Sequence, residues 1–292
     1  MTEPTPGTAH NAEPSRAVIG QGLRDKWRHN VGLHLFSQLP STSVWLREFA
    51  CELSETDVAV STDNRPDAWL CATDWQTTGV GRRGKVWTTK PGNITFSLLS
   101  FSTKPASELL GLSLVTGIAV ASCVAQQCHV KPRLKWPNDV ILNDAKLGGL
   151  LTEINSQRAG HLAGQTQILT GIGLNVRHDD EVSGVGIGAT SLQSAGFMAD
   201  SLWRDQMIAK LAATVLGAHE QFFEQGWSAF ADQWSTLDWL AGRDILIHKE
   251  NSTERAVARG VNHEGALLVD QDGITAPLYS GDFSVRPVSP RA

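Results

Sequence analysis

Apolar positions recur along this chain with two different periods, and the switches between them predict its elements. After the cap-type run Ser41-Thr42-Ser43, the residues Val44, Trp45, Phe49 and Leu53 fall on one helical face, so a loop passes into a helix there. AWLCA at 68–72 and ITFSLLSF at 94–101 are strand-like runs, the second preceded by the turn signal Pro91-Gly92-Asn93. The uncharged stretch 109–130 predicts a buried helix. LKWPNDVIL at 134–142, KLGGLLTEI at 146–154 and QILTGIGLNV at 167–176 are three further β-rich runs, the first two separated by Asn143-Asp144.

Leu202, Ile208, Leu211, Val215, Leu216 and Phe222 return to helical spacing, and Trp227, Phe230, Trp234 and Leu237 repeat it on a second amphipathic helix. The texture then changes to short alternating runs: RDILIHKE, ERAVARGV, ALLVD, ITAPLYS and FSVRPV. Five strands in so short a space predict a small β-barrel. The expected fold is α+β, with one mixed sheet in a main domain over 31–238, a small barrel over 239–292 and a flexible tail over 1–30.

The 292 residues suit one larger domain with an appendage. Hydrophobic content of 41% and charged content of 19% argue against a fibrous or wholly disordered chain. A net charge of −5 supplies no bulk attraction to nucleic acid or anionic lipid, so any basic site must be local. The basic cluster Arg24, Lys26 and Arg28 lies in a segment too short for a DNA-reading module, and no nucleic-acid partner is expected.

Four scattered cysteines suit a reducing compartment, nothing near the N-terminus marks export, and a cytoplasmic location is the expectation. The 109–130 stretch holds Gly111, Ser113, Thr116, Gly117, Gln126, Gln127 and His129, which suits a core helix and not a membrane span. His178-Asp179-Asp180-Glu181 reads as a solvated loop, and no cluster announces a metal site.

Three segments carry candidate chemistry. GVGRRGKV at 79–86 satisfies three glycine-loop patterns, and context rejects each. No apolar helix follows it as a dinucleotide fingerprint requires, and Val86 stands where a phosphate loop has a hydroxyl. The protein-kinase companion motifs are also missing. What remains is physical: glycines that let backbone approach a ligand, with Arg82, Arg83 and Lys85 to hold an anion; a solvated basic turn is the bland alternative.

The second segment sets Lys135 and Lys146 around Trp136-Pro137-Asn138-Asp139, with Gly148-Gly149 following. Lys135 in an apolar strand needs a partner if buried, and Asp139 is the nearby candidate. The third, Gly171-Ile172-Gly173-Leu174-Asn175, places glycines inside a strand, as close approach by another group requires, and an amide after them.

Taken in order, Ser41-Thr42, Gln76 before GVGRRGKVW, KWPNDV, KLGGLLTE and GIGLNV resemble the biotin protein ligases, which join biotin to biotin carboxyl carrier proteins. The likeness runs from about residue 41 to about residue 286. It implies a catalytic domain of the biotin/lipoate ligase type followed by an SH3-like barrel, without the winged helix that makes the family's longer members biotin-operon repressors. The implied reaction joins biotin and ATP, with Mg2+, into biotinyl-5′-AMP and pyrophosphate. A lysine of the biotin carboxyl carrier domain of acetyl-CoA or another acyl-CoA carboxylase then takes the biotinyl group as an amide.

By motif position the resemblance gives Ser41, Thr42, Ser43 and Gln76 to the biotin head and Gly79, Val80, Gly81 and Arg82 to the loop over the intermediate. Trp87, Lys146 and Gly149 complete the biotin pocket. Arg83, Lys85, Lys135, Asn138 and Asn175 fall to ATP. Lys146, Arg82 and Arg83 are the expected catalytic cations, since a carboxylate attacking a phosphate needs fixed positive charge. Monomer or weak homodimer is the implied assembly.

Two positions depart from the family pattern: Val80 where an arginine is usual, which removes one cation from the loop, and Ser43 where an asparagine is usual. Lipoate ligases and octanoyl transferases share the general fold but lack a GRGRRG-like loop beside KWPND. A biotin sensor without transfer is the non-enzyme alternative.

Overall fold

The computed structural model describes residues 14–27, 29–55, 66–156, 162–177, 187–281 and 283–288. Its centre is a seven-stranded sheet in the order β1-β2-β5-β9-β8-β7-β6. In chain order these are β1 (Val31–Leu39), β2 (Ala68–Gln76), β5 (Ile94–Ser102), β6 (Arg133–Lys135), β7 (Asp139–Leu142), β8 (Ala145–Ser156) and β9 (Thr166–Leu174), with a two-stranded hairpin, β3 (Gly79–Val80) and β4 (Val86–Trp87), between β2 and β5. Only β1 and β2 run parallel; the other neighbours are antiparallel, which makes the sheet mixed. β7 turns into β8 through Asn143 and Asp144 at φ 51° and 58°, the left-handed pair that a tight hairpin needs.

Alternation along the strands sends side chains to two cores. On β2, Leu70 and Ala72 join the larger core beneath α3 (Leu112–Cys128) and α4 (Ser201–Gln225). Trp69 and Cys71 point the other way, against Leu46 and Ala50 of α2 (Thr42–Glu55). α3 is apolar nearly all round because it lies between sheet and α4, which accounts for its membrane-like composition. The second predicted amphipathic segment is a 3-10 turn, Trp227–Ala229, followed by the seven-residue helix α5 (Ala231–Leu237).

The N-terminal expectation needs correction. Within the segment read as a tail over 1–30, residues Arg16–Arg24 form a helix, α1, that buries Ile19 and Leu23 one turn apart, with Trp27 beyond them. The Ser15 hydroxyl accepts from Val18 N–H as an N-cap, and Ser15 N–H donates to buried Asp205 of α4 at 2.7 Å. A Cβ on Gly22 would lie 2.8 Å from the Cβ of Ala209, so the two helices meet at van der Waals distance. Residues 1–13 lie outside the described residues. β1 is a further element that the sequence pattern did not single out.

The chain leaves the main sheet after α5 and forms a five-stranded antiparallel sheet in the order β13-β12-β11-β10-β14. Its strands are β10 (Asp244–His248), β11 (Thr253–Val261), β12 (Leu267–Gln271), β13 (Ile274–Leu278) and β14 (Ser284–Pro287). The five expected strands are present in a unit consistent with an SH3-like domain; among the described residues no β13–β14 pairing closes it into a barrel. Trp136 binds it to the main domain: its Nε1–H donates to the Gly265 carbonyl at 3.0 Å, and its ring stacks on Phe283 at 6.2 Å.

Candidate active site

A cavity of about 550 Å³ opens over the central strands, under the β3–β4 hairpin and beside the end of the second sheet. Thr42, Ser43, Gln76, Val80, Gly81, Arg82, Arg83, Lys85, Trp87, Lys135, Asn138, Lys146, Gly149 and Asn175 all line it. Ser41 and Gly79 do not. Ser41 instead starts α2, its carbonyl accepting from Trp45 N–H and its hydroxyl from Val44 N–H. Gly79 is a spacer: a Cβ there would lie 2.4 Å from the Trp87 carbonyl and 2.5 Å from Gln76 Nε2. His178 to Glu181 lie outside the described residues.

One end of the cavity is neutral and pre-paired. Gln76 Oε1 accepts from Thr42 N–H at 2.8 Å and from the Thr42 hydroxyl at 3.0 Å, satisfying a helix-start amide of α2. The Thr42 and Ser43 hydroxyls each share a hydrogen bond of 2.8 Å with the Ser97 hydroxyl on β5. All four residues are buried. Ser43 sits so close to β9 that a Cβ on Gly171 would come within 2.7 Å of its Oγ. Ser97 escaped the sequence reading because it is one polar position in an otherwise apolar strand.

The floor is made of bare backbone. A Cβ on Gly173 would lie 2.5 Å from the Trp87 ring, and one on Gly149 would lie 3.2 Å from it. The strand glycines thus make room for an indole, with Lys146 Nζ 5.4 Å from its centroid. Trp87 Nε1 and Thr95 Oγ1 are buried on this wall with no hydrogen-bond partner among the described residues. Buried donors are usually paired, so these two are available to a ligand.

The other end is cationic. Asp139 joins Lys135 at 2.9 Å and Lys146 at 2.5 Å. Burial alone would push the Asp139 carboxyl up, but the two lysines outweigh it and hold the group below its ordinary value. The sequence reading paired Asp139 with Lys135 and missed that it also holds Lys146, because the Lys146 contact crosses a strand register shift between Val140 and Ile141.

At the hairpin tip, Gly81 N–H donates to the Lys85 carbonyl at 2.7 Å, and Arg83 and Gly84 take left-handed φ of 60° and 69°. Arg82 donates to Asn138 Oδ1 at 3.5 Å and to the Ser280 hydroxyl at 2.7 Å. Its guanidinium pKa is lowered by burial, raised by Asp139 and lowered again by Arg83. Val80 faces Val86 across the hairpin, and both are exposed.

Asn138 and Asn175 donate their side-chain N–H to the carbonyls of Leu150 and Thr190, at 2.6 and 3.1 Å, which turns the Asn138 amide oxygen toward Arg82 and leaves that of Asn175 toward a cation or hydroxyl. Phe283, Ser284, Val285 and Arg286 bring the second sheet to the rim, a contribution over a sequence distance that no local pattern reveals. No group of three His, Cys, Asp or Glu among the described residues could hold a metal ion.

Comparison with known proteins agrees with this geometry. Residues 53–175 match the model of the Biotin/lipoate A/B protein ligase family. The bifunctional ligase/repressor BirA of Escherichia coli is 34% identical over 218 residues, covering 74% of this chain and 66% of that protein. The chain therefore spans just under two thirds of the length of such relatives. A biotin–acetyl-CoA-carboxylase ligase from Paracoccus denitrificans is 27% identical, covering 69% of this chain and 83% of the relative.

In fold, the chain is similar to a biotin protein ligase from Aquifex aeolicus solved with biotin and ATP, with a TM-score of 0.68 at 24% identity, covering 89% of this chain and 99% of the other. The sequence match, the fold match and the ordered motifs lining one cavity agree. This chain carries a domain of the biotin/lipoate A/B protein ligase family.

Proposed function

We propose that the protein activates biotin with ATP and transfers it to a lysine of a biotin carboxyl carrier domain. The observation that carries this reading is the polarity of the cavity: neutral hydroxyl and amide groups at one end, cations at the other, and Lys146 with Trp87 between. An uncharged ureido ring needs hydrogen-bonding partners without charge, and the Thr42–Ser97–Ser43 and Gln76 set supplies them. A carboxylate approaching an α-phosphate needs both anions screened.

In the first step, a biotin carboxylate oxygen bonds to the α-phosphorus of ATP as the bond to pyrophosphate breaks. Lys146 lies beside Trp87, where that carboxylate meets the phosphate, while Arg82, Arg83 and Lys85 hold the phosphate charge. Asp139 keeps Lys146 paired before substrate arrives, so an incoming anion takes over a cation that is already placed. In the second step, the neutral amine of the acceptor lysine attacks the biotinyl carbonyl, AMP leaves with the bonding pair, and the amine proton passes to solvent. The hairpin 79–87 shields the mixed anhydride from water between the two steps.

Magnesium enters with the nucleotide in this reading and supplies charge neutralisation at the phosphates; it keeps waters of its own and needs no acidic cage. The amide oxygens of Asn138 and Asn175 suit such a partly hydrated ion or the nucleotide sugar. The acceptor is the carrier domain of acetyl-CoA carboxylase or another acyl-CoA carboxylase. The reaction belongs in the cytoplasm, where ATP and those enzymes meet, and the working unit is a monomer or weak homodimer.

The test incubates the protein with MgATP and a purified carrier domain, with biotin or with lipoate, and weighs the carrier by mass spectrometry. Gain of one biotinyl amide on the acceptor lysine is expected. Gain of a lipoyl group alone would replace this reading with lipoate ligation, and no gain with either would overturn it.

A further inference from the structure

The hairpin that covers the cavity is fastened at its base by a residue outside every motif described above. Thr89 is buried, and its hydroxyl accepts from the Gln76 backbone N–H at 3.0 Å while donating to the Gln76 carbonyl at 3.2 Å. One side chain thus satisfies both backbone polar groups of the residue whose side chain anchors Thr42. A hydroxyl can do this because it is donor and acceptor at once.

The neighbouring contacts hold the two limbs of the hairpin. The outgoing limb is held by Thr77 N–H on the Leu39 carbonyl and Thr78 N–H on the Pro40 carbonyl, both at 3.0 Å. The returning limb is held by Gly92 N–H on Asp74 Oδ1 at 3.0 Å and by Asn93 Oδ1, which accepts from Val176 and Arg177 N–H at 2.8 and 3.0 Å. Between these pins and the β3–β4 pairing above them, Thr89 is a side-chain cross-link that ties the returning limb to the Gln76 backbone.

We infer that Thr89 is a positioning residue that sets the Gln76 side chain in the neutral end of the cavity and fixes the base of the hairpin 79–87. It touches no substrate. This rests on the biotin-activating reading for its kinetic consequence, but the clamp is observable without any substrate. Loss of both hydrogen bonds leaves the backbone N–H and C=O of Gln76 buried and unmet, which loosens a residue that must point one way.

The experiment compares wild type, Thr89→Val and Thr89→Ser. In ligand-free protein, hydrogen exchange at the Gln76 amide is expected to quicken about tenfold or more in Thr89→Val, as local opening becomes easier, and to return toward wild type in Thr89→Ser. In the carrier-free adenylation assay, KM for biotin is expected to rise about tenfold in Thr89→Val, the factor that about 1.4 kcal/mol of lost hydrogen bonding carries. KM for ATP and kcat should stay within about twofold, and serine should rescue.

Unchanged amide exchange in Thr89→Val overturns the clamp whatever the enzyme's chemistry. Faster exchange with an unchanged biotin KM overturns the positioning role, as does an equal rise in KM for both substrates. A wild type that shows the clamp but forms no adenylate sinks the biotin-activating reading and the kinetic role with it.

Discussion

The two ends of the cavity are built on opposite principles. At the neutral end the polar groups are linked in a chain of hydrogen bonds: Ser43 to Ser97, Ser97 to Thr42, Thr42 to the Gln76 side chain, and the Gln76 backbone to Thr89. At the cationic end the groups are placed by charge against charge, two lysines on one carboxylate, with Arg82 tied to the second sheet through Ser280. Hydrogen bonds fix direction and suit an uncharged ring that must be recognised. Ion pairs can be exchanged for other ion pairs, which suits phosphates that arrive and leave.

The largest effect that separates the ends should come from Lys146, which stands between them. Lys146→Ala is expected to slow adenylate formation on the order of a hundredfold or more, while biotin binding measured by calorimetry changes much less. Equal losses in both would erase the distinction.

A second break attacks the floor. Gly173→Ala puts a Cβ into the Trp87 ring, whose atoms lie 2.5 Å from that position. Displacing the indole should weaken biotin binding about tenfold or more, because moving a packed ring costs about 1–3 kcal/mol. Wild-type affinity in this variant would mean that Trp87 is not part of the pocket.

Part of this contrast is legible in the residues themselves and part is not. The glycine-rich segment, KWPND and the strand glycines mark the cavity because special backbone needs leave special residues. α1 was hidden because its first turn follows a polar, proline-bearing stretch, and its burial depends on α4, nearly two hundred residues away. β1 is an edge strand with polar interruptions at His34, Ser37 and Gln38, so its period is weak. Ser97 and Thr89 carry hydrogen bonds whose partners are distant in sequence, and a hydroxyl in a strand or loop has no local signature. Ser41 and Gly79 were expected on the wall and instead support it, one at a helix start and one by the absence of a side chain.

A smaller effect sharpens the comparison at the neutral end. Ser97→Ala leaves the Thr42 and Ser43 hydroxyls without their shared partner and should raise the biotin KM by about three- to tenfold, as one or two hydrogen bonds would. That increase should be independent of salt, whereas ATP affinity should fall as salt rises, since only the cationic end is screened. Titrations in 0.05 and 0.5 M salt, on the order of a threefold change in screening length, measure both; equal salt dependence for the two ligands would contradict the division.

The smallest effect concerns acid. The Asp139 carboxyl titrates below its ordinary value of 3.8 in the folded protein, so its pairing stabilises the fold fully above that value. The unfolded chain takes up the proton first as pH falls, and the contribution is lost as pH drops through the lower folded value. Melting curves between about pH 6 and pH 3 should therefore fall more steeply for wild type than for Asp139→Asn in the acid part of that range. Parallel curves would remove Asp139 from the account.

The most direct measurement mixes the protein with biotin, magnesium and ATP labelled at the α-phosphate, without any carrier, and follows biotinyl-AMP and pyrophosphate together. Formation of both in equal amounts, with the adenylate retained on the protein, is the predicted result. ATP breakdown without biotinyl-AMP, or biotin binding with no release of pyrophosphate, would contradict a cavity built to bring a carboxylate from its neutral end to a phosphate at its cationic one.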